Sequence, residues 1–278
     1  MKLKYTAACV GLTAAAMVAV TGCGSDGVQR AADVVDKSDA IMAALARATD
    51  RTENLGSAEV RISTATAGTA PITMEGTYSW GAGYAFDVEM DTKAAQMQLL
   101  QDAPTMRMLF VDGAYYYDVD PQRSGPLKGK EWMKVDASAV FGEKGAQAFS
   151  GGGGGSPAAS MKSLKYAKNV KDLGKETVDG QSTTHYRAEL DQAQLGKFKD
   201  AYGDADSLAG SITGGASSMT MDIWVGGKDL PVRLKQRIGT MTVTMDFEKF
   251  GRTAVVKAPP AAETGDLSDA LKDAAAKQ

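Results

Sequence analysis

For side chains able to do covalent or acid–base chemistry, this sequence offers little: its 278 residues include one His and two Cys. A lone imidazole permits a nucleophilic triad but leaves no room for a multi-His metal site. His185 stands in Thr183-Thr184-His185-Tyr186 on an expected strand, with no acid or nucleophile patterned near it in sequence, and reads as structural. Asp118, Asp120 and Asp191 are scattered at expected strand ends or loops and read as solvated. No G-x-S-x-G, H-E-x-x-H or P-loop sequence is present, and the Gly151–Gly155 run lacks the following Lys-Ser/Thr of a phosphate cradle. The expectation is a protein that is not an enzyme, with no metal and no cofactor.

The thiols carry more. Residues 1–23 read MKLKYTAACVGLTAAAMVAVTGC: Lys2 and Lys4 precede an apolar stretch that is diluted by Thr and Gly and short for a membrane span. This is the layout of a secretory signal, and it ends in Val20-Thr21-Gly22-Cys23, which resembles a bacterial lipobox. In that chemistry a diacylglyceryl group is attached to the Cys thiol and cleavage makes Cys23 the first mature residue. Cys9 leaves with the signal, so a secreted chain would otherwise keep one unpaired thiol, which lipidation explains and a disulfide does not. Stable anchoring follows from more than one acyl chain. Removing residues 1–22 takes two lysines and no acids, leaving a net charge of −5; the membrane contact is therefore the anchor rather than a basic patch, and nucleic acid is excluded as a partner.

Residues 23–30 read as a tether after the lipidated Cys, residues 31–258 as one domain and residues 259–278 as a flexible or weakly helical tail. The spacing of Val34, Ser38, Ile41, Leu45 and Ala48 on one face predicts an amphipathic helix over about 31–50, ended by Asn54-Leu55-Gly56. From Ser57 the period becomes two, which predicts antiparallel strands over about 57–64, 72–80, 84–91, 95–101, 105–111, 114–119, 131–135, 168–177, 182–190, 218–226, 230–239 and 240–249. Asp112-Gly113 and Asp179-Gly180 are hairpin turn signals. Helical stretches are expected at about 138–149, 157–166 and 191–202. Gly151, Gly152, Gly153, Gly154 and Gly155 cannot pack as helix or strand and read as the hinge of a lid formed by the 138–166 helices. The fold class is α+β, an antiparallel sheet with helices on one face.

Fourteen Met is the count that asks for an explanation. Met74, Met90, Met97, Met106, Met108, Met219, Met221, Met241 and Met245 fall on the apolar phase of expected strands, with Ile223 and Val243 beside them. Arg233, Lys235 and Arg237 share the opposite phase with Asp222, Asp246 and Glu248. Such a stripe has two readings, ordinary core or an adaptable apolar cavity, because Met specifies a tight core poorly and suits variable apolar partners.

Lipobox, single helix, Met-lined sheet and helical insert together resemble the actinobacterial LppX/LprG-type lipoproteins with their LolA/LolB-like half-barrel. The stretches that carry the likeness are Val111-Asp112-Gly113 through Tyr115-Tyr116-Tyr117 to Trp132-Met133-Lys134-Val135, then Asp172-Leu173-Gly174 with Thr177-Val178-Asp179-Gly180 and His185-Tyr186. Asp222-Ile223-Trp224-Val225 with Leu230-Pro231-Val232 completes them. The resemblance implies one curved sheet with helices on its concave face and an apolar cavity between them. Met74, Tyr78, Phe86, Met90, Met97, Met108, Met219, Met221, Ile223, Met241, Val243 and Met245 would line it. It also implies a monomer on the extracytoplasmic face of the bacterial cell membrane that carries a lipid or glycolipid, with a membrane transporter as a further partner. An envelope sensor holding a protein or peptide, and a filled scaffold, are the competing readings.

Overall fold

The computed structural model describes residues 25–275 apart from 67, 69, 140–141, 144–145, 147–155, 163, 165–166, 168, 192, 195–217 and 252, with side chains from Lys37 onward. Cys23, the signal residues 1–22 and Gly151–Gly155 lie outside the described residues, as does most of the helix expected at 191–202. The chain divides into Met1–Lys37 and Ser38–Gln278, and the packing described below is that of the second unit.

Helix α1 runs Ser25–Leu55, starting within the stretch expected to be a tether. Ile41, Leu45 and Ala48 of the expected face turn inward, whereas Ser38 is exposed. Gly56 ends the helix with φ +71°, a backbone state that glycine adopts without a Cβ penalty. Its carbonyl accepts the Trp80 and Gly81 amides at 2.8 and 2.9 Å, and the Trp80 indole donates to the Thr52 carbonyl at 3.0 Å. The helix C-terminus is thus stapled to the sheet through its otherwise orphaned carbonyls.

The sheet is built from two meanders. Strands β1 (Ser57–Thr66), β2 (Ile72–Ser79), β3 (Ala85–Asp91), β4 (Thr105–Val111), β5 (Ala114–Asp118) and β6 (Trp132–Asp136) pair consecutively and antiparallel. So do β7 (Val170–Val178), β8 (Gln181–Asp191), β9 (Ser218–Val225), β10 (Pro231–Ile238) and β11 (Met241–Phe250). The pairing of β1 with β11, with a bulge at Glu59/Val60, joins them into one open twelve-stranded sheet. The hairpin signals hold: Asp112 and Gly113 take φ +54° and +76°, and Asp179 and Gly180 take +47° and +77°, which is what a two-residue primed turn requires.

Two segments differ from expectation. Residues 95–101 form turns, not a strand. The Asp91 carboxylate accepts the Ala94 amide at 2.6 Å, and Thr92 donates its hydroxyl to Ala103 and its amide to Pro104. Local capture of the backbone by these side chains removes it from ladder pairing. The stretch from residue 259, expected as a flexible or weakly helical tail, is helical at α3 (Ser268–Ala275) but also contributes β12 (Thr264–Asp266), which pairs parallel with β6. Lys134 bridges Asp136 and Asp266 at 2.9 Å each. Burial opposes ionisation of Asp266, but Lys134 and the Ser268 hydroxyl and amide outweigh it and hold the carboxyl down at about 2. The segment leading to this clasp lays Val256 against Leu109, Val111 and Tyr116, so the outer side of β4 and β5 is also buried.

The insert between β6 and β7 includes helix α2 (Pro157–Lys162), opened by the Ser156 hydroxyl accepting the Ala158 amide at 3.1 Å. Met161 and Leu164 are buried in the same cluster as the inward face of α1, and Lys162 pairs with Glu53 at 2.7 Å. Both helices therefore cover one face of the sheet.

Gly76 sits mid-strand with φ +153°, where a Cβ would come 2.2 Å from the Asp87 carbonyl oxygen. A residue with a side chain there must push β3 away, so Gly76→Ala is expected to destabilise the protein by about 2–4 kcal/mol. A fall in the urea midpoint at constant slope checks this, and an unchanged midpoint contradicts it.

Candidate functional site: the inner face of the sheet

Cross-strand register gathers the apolar phase of every long strand into rows. Met106, Met90, Met74 and Ile62 are successive partners from β4 to β1, and Met245, Leu234, Ile223 and Tyr186 continue the row from β11 to β8. Toward the short hairpin turns the next rows become aromatic: Tyr115, Phe110, Phe86 and Tyr78 are partners, leading to Ala58 and Phe250. Their rings pair stacked, as with Phe86–Phe110 at 5.6 Å between centroids, or edge-on, as with Phe110–Tyr115 at 4.8 Å. In the opposite direction, toward the long connections, the rows read Met221, Gln236, Val243, Thr64, Ile72 and then Leu190, Met219, Ile238, Met241, Thr66.

Burial falls along β1, β2 and β11 toward Thr66, Ile72 and Met241 but not along β8 and β9, where Leu190, Met219 and Met221 at the same end are buried. Tyr78, Phe86, Met90, Met108, Met219, Met221 and Ile223 are buried. Met74, Val243 and Met245 are half-buried and pack on the same cluster, together with Ile41 and Ala44 of α1. Met97 joins that cluster from the 92–101 turns rather than from a strand. Met241, at the β10–β11 turn, is half-buried and stands apart from the cluster. Of the twelve expected lining residues, the fold thus gathers eleven about one core and leaves Met241 at its end.

The face also holds hydroxyls without holding charge. Tyr78 and Tyr84 share a hydrogen bond of 2.7 Å between their phenol oxygens. Burial pushes the Tyr78 phenol far up, pushes Tyr84 up to about 12, and raises Tyr115 and Tyr117, so these groups stay neutral. An uncharged surface edged by soft methionines suits apolar chains better than ions.

His185 has a richer setting than its sequence neighbourhood suggests. Its ring is buried on the outer side of the sheet, stacked on Trp224 at 4.1 Å, with Nδ1 2.8 Å from Glu176 Oε1 and Nε2 2.8 Å from Asp222 Oδ1. The Trp224 indole donates to Glu176 Oε2 at 2.8 Å and Arg187 donates to Asp222 at 2.6 Å. Asp222, expected on a solvated surface, is 1% exposed beneath these partners. Glu176 and Asp222 lie nine and 37 residues from His185 in sequence, so only β7–β8 and β8–β9 register could have revealed them. The knot occupies both ring nitrogens and binds edge strand β7 to β8 and β9. Among the described residues no group of three or more His, Cys, Asp or Glu is arranged to hold a metal, and no helix is long and apolar enough to cross a membrane.

With this geometry in place, likeness to known proteins becomes informative. No family model matches the chain. It is 25% identical over 239 residues to a candidate lipoprotein, SCO4650, of Streptomyces coelicolor, covering 82% of this chain and 75% of that protein. It is 26% identical over 251 residues to an uncharacterised 31.2 kDa protein from the rplA–rplJ intergenic region of Streptomyces griseus, covering 84% and 82%. Among solved structures it superposes on the lipoprotein LppX of Mycobacterium tuberculosis with a TM-score of 0.51 and 13% identity, over 79% of this chain and 99% of that one. The fold is therefore that of LppX-type lipoproteins, an open, curled antiparallel sheet with few helices, and the resemblance read from the sequence holds at that level.

The Trp224 indole first, then His185, holds the Glu176 carboxyl below its usual range, against a small opposing effect of burial. Stability from a depressed carboxylate is present above the ordinary value of about 4.3 and is lost as pH falls through the folded one. The thermal midpoint of the wild type should exceed that of Glu176→Gln at pH 7, and the gap should close on acidification below about pH 4. A gap that does not change with pH contradicts this account of the knot.

Proposed function

We propose that this protein is a lipoprotein held by acylated Cys23 on the extracytoplasmic face of the cell membrane, and that it binds a lipid or glycolipid by its acyl chains on the inner face of the sheet. The observation that carries the reading is the graded face itself. Tyr78, Phe86 and Phe110 close one end, whereas on β1, β2 and β11 Thr64, Ile72, Met74, Met241, Val243 and Met245 stay half-buried, and on β8 and β9 Leu190, Met219 and Met221 are buried. A core meant only to be filled would bury the β1, β2 and β11 side chains too, each worth roughly 1.5–3 kcal/mol when removed from water. Their partial exposure leaves that gain available to an apolar guest. The likeness to LppX and to a candidate lipoprotein supports the anchor and the envelope setting.

The energetics suit exchange with a bilayer. Each methylene withdrawn from lipid and buried against Met avoids about 0.8 kcal/mol of exposure to water, so a chain moves between two apolar environments at little net cost provided it is shielded in transit. Flexible Met side chains adapt to chains of different length and branching without a fixed shape.

Full-length protein purified from its own membrane should carry lipid at about one molecule per chain, read by mass spectrometry after organic extraction. Met245→Trp fills the half-buried centre of the row and should lower bound lipid severalfold while leaving the thermal midpoint within about 2–4 °C of wild type. Protein that is reproducibly free of lipid overturns the reading, and so does undiminished lipid in a folded Met245→Trp.

A further inference from the structure

Three neighbouring connections at one end of the sheet are bare of charge. β1–β2, β3–β4 and β10–β11 turn back side by side there, because Thr64 pairs with Ile72, Asp91 with Thr105, Ile238 with Met241, Met74 with Met90 and Thr66 with Met241. Residues 62–74, 94–101 and 238–245, which make this rim, include no Asp, Glu, Lys, Arg or His, although 23% of the chain is charged. The β5–β6 connection beside them differs, with Asp120, Arg123, Lys128, Lys130 and Glu131. At the opposite end the β4–β5, β7–β8 and β9–β10 turns carry Asp112, Asp179, Lys228 and Asp229. The β2–β3 turn there is uncharged but is taken up by the staple to Gly56.

Leu99 stands on this rim 92% exposed. It does so from a hydrogen-bonded platform. The Thr92 carbonyl accepts the Met97 amide at 3.0 Å, the Met97 carbonyl accepts the Leu100 and Gln101 amides at 2.9 and 3.1 Å, and the Asp120 amide donates to the Leu100 carbonyl at 2.8 Å. Met97 and Leu100 pack inward against Val119, Leu127 and Met133, so the turn holds Leu99 outward by construction. A single exposed leucine is ordinary on a protein surface. Its place on a charge-free rim is not.

Such a surface suits the boundary of a bilayer. Charged side chains are costly there, and interfacial binding grows with the apolar area buried. The rim is also continuous with the acyl-binding face, since Ile72, Met74, Met241, Val243 and Met245 are half-buried on the strands that end at it. A chain leaving the lipid at this point meets methionines before it meets water.

We propose that this rim, led by Leu99, seats on the surface of the lipid bilayer. The contact is made by one apolar side chain and missing charge rather than by a basic patch, and it adds to the anchor at Cys23. It rests on the carrier reading for its purpose, but the contact is measured apart from bound lipid.

The test inserts full-length acylated protein from outside into preformed vesicles of equal parts phosphatidylethanolamine and phosphatidylglycerol. A nitrobenzoxadiazole label is placed on Leu99→Cys, Thr240→Cys or Lys175→Cys, all exposed positions, and acylation leaves Cys23 no thiol to react. Labels at 99 and 240 should shift to the blue and be reduced by dithionite severalfold more slowly than the label at 175. Leu99→Glu should return the 240 label to the rate seen at 175, with the thermal midpoint unchanged because the side chain stands in water. Equal rates at all three positions overturn the proposal, as does protection at 240 that survives in folded Leu99→Glu. Protection that disappears when the protein is diluted in lipid marks contact between copies and overturns it too. Lipid in the purified protein together with a wet rim would sink the docking and leave the carrier reading standing; a protected rim on protein free of lipid would do the reverse.

Discussion

The pairing of β1 with β11 is the contact on which the rest depends. Each meander is local, since hairpin turns bring its strands together one after another. Ala58 and Phe250 meet from opposite ends of the described domain, and their meeting sets the phase in which the two meanders share a face. A slip of one residue would send Met245 and Val243 to the outer side and bring Asp246 and Thr244 inward. The bulge at Glu59/Val60 and the outer bridges across this seam, Arg61 with Glu248 and Lys249 with Glu59, fix the phase, and Arg61 with Glu75 and Arg233 with Asp246 continue the ladder onto β2 and β10. Exposed pairs such as these are worth little in stability, but like charges opposed by a slip are costly, so their effect is on register.

Once the phase is set, the two faces have different tasks. The inner face collects rings near the β2–β3 and β4–β5 turns, where α1 is stapled through Gly56 and Trp80, and half-buried Met and Val toward the other end of β1, β2 and β11. The outer face carries its order in polar form, with the His185–Glu176–Asp222–Arg187 knot holding β7, β8 and β9, and the Val256 segment covering β4 and β5. The sheet is thus braced on its outer side, while its inner side carries the flexible methionines. Rigidity sits at the back and adaptability at the front.

Much of this was legible in the sequence, and what was not has physical reasons. Period-two alternation located nearly all the long strands, and Asp-Gly placed two hairpins, because both signals are local. The inward methionines were legible for the same reason. Residues 95–101 alternate like a strand through Ala95, Met97 and Leu99, yet side-chain bonds from Asp91 and Thr92 turn the backbone back on itself, and Leu99 stands 92% exposed. The partners of His185 were invisible because they are non-local, and the rows themselves existed only after register joined strands up to some 190 residues apart. Parallel pairing of β12 with β6 carries no turn signal at all.

That last strand has a consequence for the order of assembly. A chain that emerges N-terminus first completes β1 to β6 early, yet neither border of that half-sheet is closed. β1 waits for residues 241–250 and β6 for residues 264–266. Until then the first meander exposes two unpaired edges and a methionine-rich face, the state in which strands of separate chains join most readily. Residues 241–250 and 264–266 therefore act as the lock on work done by the first strands, and truncation before Thr264 would leave the protein most vulnerable at the segment it made earliest.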